Sequence, residues 1–164
     1  MQIFEWTLVV ATLLCSLTAG FVLAFAVVVM PGIATLADRE MLRAFQVVDR
    51  VIQNNHPIFM LVWVGSVVTL LGSAATGFAQ VQGMDRLLLG SAVLIYLLGV
   101  QVPTMTINVP LNNQLQTLDL ATMDDASLAE ARRQFEPRWN RWNRIRTVLA
   151  TLTSSLLIVL VLRL

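Results

Sequence analysis

An all-α bundle of four transmembrane helices, with an additional interfacial amphipathic helix in each long connection, is the fold this sequence predicts. Three observations predict it. The chain is 57% hydrophobic and 13% charged over 164 residues, and its mean hydropathy is +0.73, too apolar for an ordinary soluble domain. Four apolar runs, uncharged apart from Arg146 at the start of the last, are each long enough, at about 1.5 Å per residue, to cross a hydrocarbon core of roughly 30 Å. The charges gather mainly in two long connections between them. Residues 1–164 read as a single integral membrane domain.

The first span runs from about Thr7 to Val29. A cleaved signal peptide is the competing reading, but the segment before it holds Glu5 and no basic side chain, and the apolar run is too long for a signal core. Ile58 to Phe78 forms the second span, opened by Pro57 where a missing N–H costs nothing. Leu87 to Ile107 forms the third, so close behind the second that the two are antiparallel neighbours. The fourth covers Ile145 to Leu162 and continues from the amphipathic stretch before it, since nothing between Trp139 and Leu162 breaks a helix.

The two long connections, Pro31 to His56 and Val109 to Arg144, fall on the same side. In the first, Met41, Leu42, Phe45, Val48 and Ile52 recur at helical spacing behind Thr35 and Asp38 as capping residues. This predicts a helix along the membrane surface whose polar face carries Arg39, Arg43 and Arg50. In the second, Ser127 and Glu130 form a capping-box pattern ahead of a basic helix that Pro137 should kink or restart. Arg132, Arg133, Arg138, Arg141, Arg144 and Arg146 add to the same side, against Arg86 and Arg163 on the other. The positive-inside rule then places the connections in the cytoplasm and both termini outward, as in a bacterial inner membrane. Ser16, Gly20 and Ala24 in the first span, and Gly65, Thr69, Ser73 and Gly77 in the second, are stripes that predict close helix packing. They do not discriminate an intramolecular bundle from a homo-oligomer.

A net charge of +1 gives no argument for nucleic acid, although all eleven basic residues are Arg. Membrane lipids are the expected partners of most of them, through headgroup phosphate. One cysteine, Cys15, and one histidine, His56, cannot supply a usual zinc or iron–sulfur ligand set, so no metal is expected.

Topology gathers distant polar segments at the cytoplasmic end: Arg50, Asn54, Asn55 and His56, then Asn108, Asn112 and Asn113, then Trp139 to Arg146. Trp139, Asn143 and Arg146 share one helical face, with Trp142 beside them. Indole rings, amides and a guanidinium together can grip a flat, oxygenated aromatic molecule. Each element has a plainer reading. Trp139 and Trp142 also suit an aromatic belt, the asparagines suit interhelical bonding or loop caps, and His56 suits an exposed position before a proline. Arg146 is the exception, since an unpaired guanidinium inside a bundle costs roughly 2.5–3.5 kcal/mol on insertion scales.

Met30-Pro31-Gly32, Arg43-Ala44-Phe45-Gln46 with Asp49-Arg50, Asn108-Val109-Pro110-Leu111-Asn112-Asn113, and Arg141-Trp142-Asn143 followed by Arg146-Thr147 together resemble the anthrone oxygenase-like membrane proteins. The resemblance covers nearly the whole chain, and the Asn-Val-Pro-Leu-Asn-Asn element is its most specific part. It implies a four-helix membrane protein whose fungal relatives oxidise anthrones to anthraquinones with dioxygen, without a known metal or flavin; no cofactor is expected. Many relatives carry histidine where this chain has Arg144, which puts the identity of the base in doubt.

An anthrone C–H is acidic enough for its carbanion to reduce dioxygen directly, so the protein needs to bind the ring, take a proton and stabilise an oxyanion. The expected catalytic residues are His56 or Asp49 as base and Arg146 as donor, with Asn108, Asn112, Asn113, Trp139, Trp142 and Asn143 binding substrate. A non-catalytic membrane subunit holding a quinone, lipid or other hydrophobic molecule in the same cleft is the alternative. A transporter is disfavoured, because no charged residue lies near a span midpoint and no pair of broken helices is evident.

Overall fold

The computed structural model describes residues 3–164, and among them there are only helices, turns and short links. Five helices account for the architecture: α1 (Ile3–Ile33), α2 (Asp38–Gln53), α3 (Pro57–Gly77), α4 (Gly83–Gln116) and α5 (Asp125–Arg163). α1, α3, α4 and α5 are long and apolar enough to cross a membrane, consistent with an integral membrane protein.

Two of these helices outrun the spans expected from the sequence, and prolines explain how. α1 reaches Ile33 and α4 reaches Gln116, passing Pro31, Pro103 and Pro110. A proline inside a helix has no N–H, and its ring collides with the carbonyl four residues back. Here a widened π-helical turn sits just before each one. The Met30 N–H reaches the Phe25 carbonyl, the Val102 N–H reaches Leu97, and the Val109 N–H reaches Thr104. The extra residue in each turn absorbs the misfit without breaking the helix. As a result Asn112 and Asn113 are helical residues, where a connection had been expected.

The expected caps also shift. α2 begins after Ala37 without a side-chain cap; the Thr35 hydroxyl donates back to Gly32, and Asp38 receives the Arg132 guanidinium at 3.0 Å. α5 is capped by Asp124, which accepts the Ser127 N–H at 2.8 Å, so Ser127 lies inside the helix and Glu130 pairs with Arg133. Pro137 neither stops nor restarts α5, which is continuous across it. Pro137 and Arg133 are both exposed, so the carbonyl left without an N–H is open to water.

One apolar core, including Leu8, Cys15, Leu70, Leu89, Tyr96 and Leu157, joins the four long helices. A second, including Met30, Met41, Phe45, Leu111, Leu128 and Phe135, seats α2 across the end of the bundle. Phe21 packs against both. Polar ties reinforce the seat: the Arg39 guanidinium donates to the Leu120 and Met123 carbonyls, Gln46 to Leu115 at 2.8 Å, and Arg132 to Ala34 at 2.7 Å. Most arginines expected to meet lipid phosphate from α2 and α5 remain exposed, but Arg39 and Arg132 are spent on the protein itself.

The small-residue stripes behave differently from one another. At Gly65 of α3 an added Cβ would meet Leu14 at 3.0 Å, and at Gly77 it would collide with the Phe4 ring, so α1 and α3 touch closely there. An added Cβ at Gly20 meets nothing within 4 Å and Ala24 is exposed, so these two positions of the α1 stripe do not pack within the bundle, while Ser16 is half-buried.

Candidate functional site

Where α2 closes the bundle, all five helices converge on a cavity of about 330 Å³ whose walls are mostly apolar and carry a cluster of buried polar groups. α1 contributes Phe21, Val22 and Phe25; α2 contributes Asp49; α3 contributes Phe59 and Trp63; α4 contributes Thr104, Asn108 and Asn112; α5 contributes Trp139, Asn143 and Arg146. Helical spacing explains the last two sets. Thr104, Asn108 and Asn112 recur every four residues along α4, and Trp139, Asn143 and Arg146 follow at i, i+4 and i+7 on α5.

Two hydrogen-bonded groups organise the walls. The Trp139 indole N–H donates to the Asn112 Oδ1 at 2.8 Å, and the Asn112 Nδ2 donates to Asp49 at 2.7 Å. An indole can only donate, so it fixes which end of the amide faces it and leaves the amide N–H₂ for the carboxylate. Gln53 and Gln116 donate to the other Asp49 oxygen at 2.6 and 3.0 Å. Asp49 is 2% exposed. Burial holds its carboxyl above the usual carboxylate range, while the amide donors Gln116, Gln53 and Asn112 pull the other way.

The second group surrounds Arg146, which is 5% exposed. Its Nη1 donates to the Thr104 hydroxyl and its Nη2 to the Asn143 Oδ1, both at 2.9 Å, while its Nε–H has no partner. Because the guanidinium claims the Asn143 oxygen, the Asn143 amide N–H₂ turns to the Val22 carbonyl at 3.0 Å. The guanidinium carbon lies 5.9 Å from the centre of the Trp139 ring. No ion pair among the described residues involves Arg146 or Asp49. Nearby, the buried Asn108 Oδ1 also lacks a partner, and its Nδ2 makes only a long contact of 3.4 Å with the Trp139 carbonyl. Unpartnered polar atoms this deeply buried are expensive, and a ligand with an accepting oxygen for the Arg146 Nε–H and a hydroxyl for the Asn108 Oδ1 would satisfy both.

Of the residues expected from the sequence, Asp49, Asn108, Asn112, Trp139, Asn143 and Arg146 meet at this cavity. His56 does not: it is exposed and lines a neighbouring apolar groove, because the turn after α2 carries it outward. Asn113 is exposed and accepts from Gln53 at 3.2 Å. Trp142 is half-buried outside the cavity, since three residues from Trp139 it falls beyond the edge of the lining face. Thr104 and Gln116 were missed. Their signal was the four-residue spacing through Asn108 and Asn112, visible only once α4 is carried through Pro110.

A family model described as anthrone oxygenase matches residues 45–156, more than half of the chain and all the polar residues of the cavity. Neither a search of curated proteins nor one of solved structures returns a match.

Proposed function

Because the chain belongs to the anthrone oxygenase family, we propose that the cavity binds a flat, oxygenated aromatic substrate and promotes its oxidation by dioxygen without a cofactor. The observation that carries this reading is a buried guanidinium with a free Nε–H and no acidic partner, across the same cavity from a buried carboxylate. Such a pair suits proton removal from carbon with stabilisation of the resulting oxyanion.

In this reading the Trp139 ring forms a flat wall, Asp49 takes the proton from the ring methylene, the Arg146 Nε–H donates to the enolate oxygen, and the Asn108 Oδ1 accepts from a ring hydroxyl. Asn112 and Asn143 are positioning residues, the first for Asp49 and Trp139, the second for Arg146. The carbanion passes one electron to dioxygen, and the radical pair combines at the same carbon as a hydroperoxide. Loss of the remaining C–H proton and of hydroxide leaves a second carbonyl. One anthrone and one dioxygen give one anthraquinone and one water. His56 has no role here, being outside the cavity.

The test is oxygen uptake and anthraquinone formation from a simple anthrone, with purified protein in nanodiscs and the uncatalysed rate subtracted. Equal amounts of oxygen and anthrone should be consumed, and Asp49→Asn and Arg146→Gln should each lower the rate roughly 100-fold. The rate should rise with pH as Asp49, held above the usual carboxylate range by burial, loses its proton. That limb should vanish in Asp49→Asn. Saturable ring binding with no oxygen uptake would instead make the cavity a ligand-holding site.

A further inference from the structure

An apolar groove of about 580 Å³ lies beside this cavity. It runs between Leu17–Phe25 of α1 and Ile58–Trp63 of α3, with Val47, Val48 and Val51 of α2 along its rim. Three of its aromatic walls, Phe21, Phe25 and Phe59, together with Trp63 and Ile52, also line the cavity, so the two spaces share one partition.

The helices leave this gap for a physical reason. α1 and α3 are in close contact where Phe4 meets Gly77 and where Leu14 meets Gly65. Beyond Leu17, towards the polar end, bulky Phe21 and Phe59 face each other in place of a glycine, with ring centres 5.3 Å apart. The partition continues from Phe21 to Phe25 at 5.1 Å and from Phe59 to Trp63 at 5.6 Å. Phe21, Phe59 and Trp63 are only half-buried, so the seam is made of side chains with room to turn rather than of packed backbone. Leu17, Val47, Val51 and Ile58 are exposed on the outer lip, and the lip is apolar wherever a hydrocarbon layer would meet it.

We propose that the ligand of the cavity carries a hydrocarbon chain: its oxygenated ring passes sideways from the membrane through the Phe21–Phe59 seam, and its chain remains in the groove between α1 and α3. This rests on the reading of the cavity as the ring site. Three features support it. The cavity is near the small end of ligand pockets, so a ring that fills it leaves no space for a substituent. The partition it shares with the groove is its one wall built of half-buried rings, whereas the α4 and α5 walls hold the buried polar residues. The groove offers His56 and Thr18 as its only polar residues, which suits an alkyl or isoprenoid chain and not a second polar group. Since lipid tails are as apolar as the groove, the chain contributes selection and route of access more than affinity.

The experiment uses the full chain in nanodiscs and a hydroxylated anthrone or naphthoquinone bearing a ten-carbon chain with a terminal diazirine. On irradiation, label should concentrate in peptides spanning residues 17–25 and 58–63, and an excess of the chainless ring compound should displace it. Leu17→Trp, at the outer lip, should reduce this labelling several-fold and slow turnover of the chain-bearing compound, while binding of the chainless ring is unchanged. Label spread over all outward helix faces, undiminished by the chainless ring, would mean that only bilayer lipid occupies the groove and would overturn the proposal. If the chainless ring still binds in that case, the cavity reading survives; if it does not bind at all, the cavity reading fails first.

Discussion

Asp49 and Arg146 are the two buried charges at the polar end, and neither is neutralised by the other or by a third residue. Amides hold Asp49, and a hydroxyl and an amide hold Arg146. A fold selected for stability alone gains little from an unpaired guanidinium, which an apolar residue of similar volume replaces at no loss or with a gain. Arg146→Met is therefore expected to raise unfolding stability in detergent by about 1–3 kcal/mol, while saturable ring binding is lost. Asn143 keeps its bond to Val22 in that variant, so the local backbone stays anchored. A marked fall in the unfolding midpoint would assign Arg146 to structure. Legibility at this scale followed distance along the chain. Trp139, Asn143 and Arg146 could be grouped from spacing within one helix, whereas spacing gave no way to separate His56 from Asp49 as the base. Only the direction of the turn after α2 takes His56 away from the cavity.

At the scale of helices, two prolines and two glycines do most to shape the site. The π-helical turns before Pro31 and Pro110 bear Phe25, Thr104 and Asn108, all of which line the cavity. Without these turns a rule that helices end near a proline truncates α4 and hides the row from Thr104 to Gln116. Glycine has the opposite effect, drawing α1 and α3 together. Gly77→Leu must displace the Phe4 ring from a buried position and is expected to cost about 1–3 kcal/mol. At exposed Gly20 an added Cβ meets nothing within 4 Å, so Gly20→Leu is expected to change stability by no more than about 0.5 kcal/mol. Thermal unfolding of the two variants in one detergent compares them directly; equal losses would contradict the close approach at Gly77.

For the whole molecule, the distribution of arginine predicts orientation. Arg43, Arg50, Arg138, Arg141 and Arg144 are exposed around the end that holds the cavity, while Arg163 at the far end pairs with Asp85 at 2.5 Å. By the positive-inside rule the cavity end is expected to face the cytoplasm. In a Cys15→Ala background, Gln80→Cys should react with an impermeant maleimide applied outside intact cells, and Asn54→Cys should react only after permeabilisation. The reverse pattern would place the cavity at the outer face. Hydropathy and charge are sums over neighbouring residues, so the sequence by itself determined the apolar surroundings, the four long helices and the end at which polar chemistry collects. Contacts between helices are not such sums. Asp49 and Asn112 are 63 positions apart, and Asn112 and Trp139 are 27 apart. Which amide faces which donor, which charge lacks a partner and where the bundle opens sideways were decided only when five helices packed around one cavity, because each depends on groups that sequence spacing never brings together.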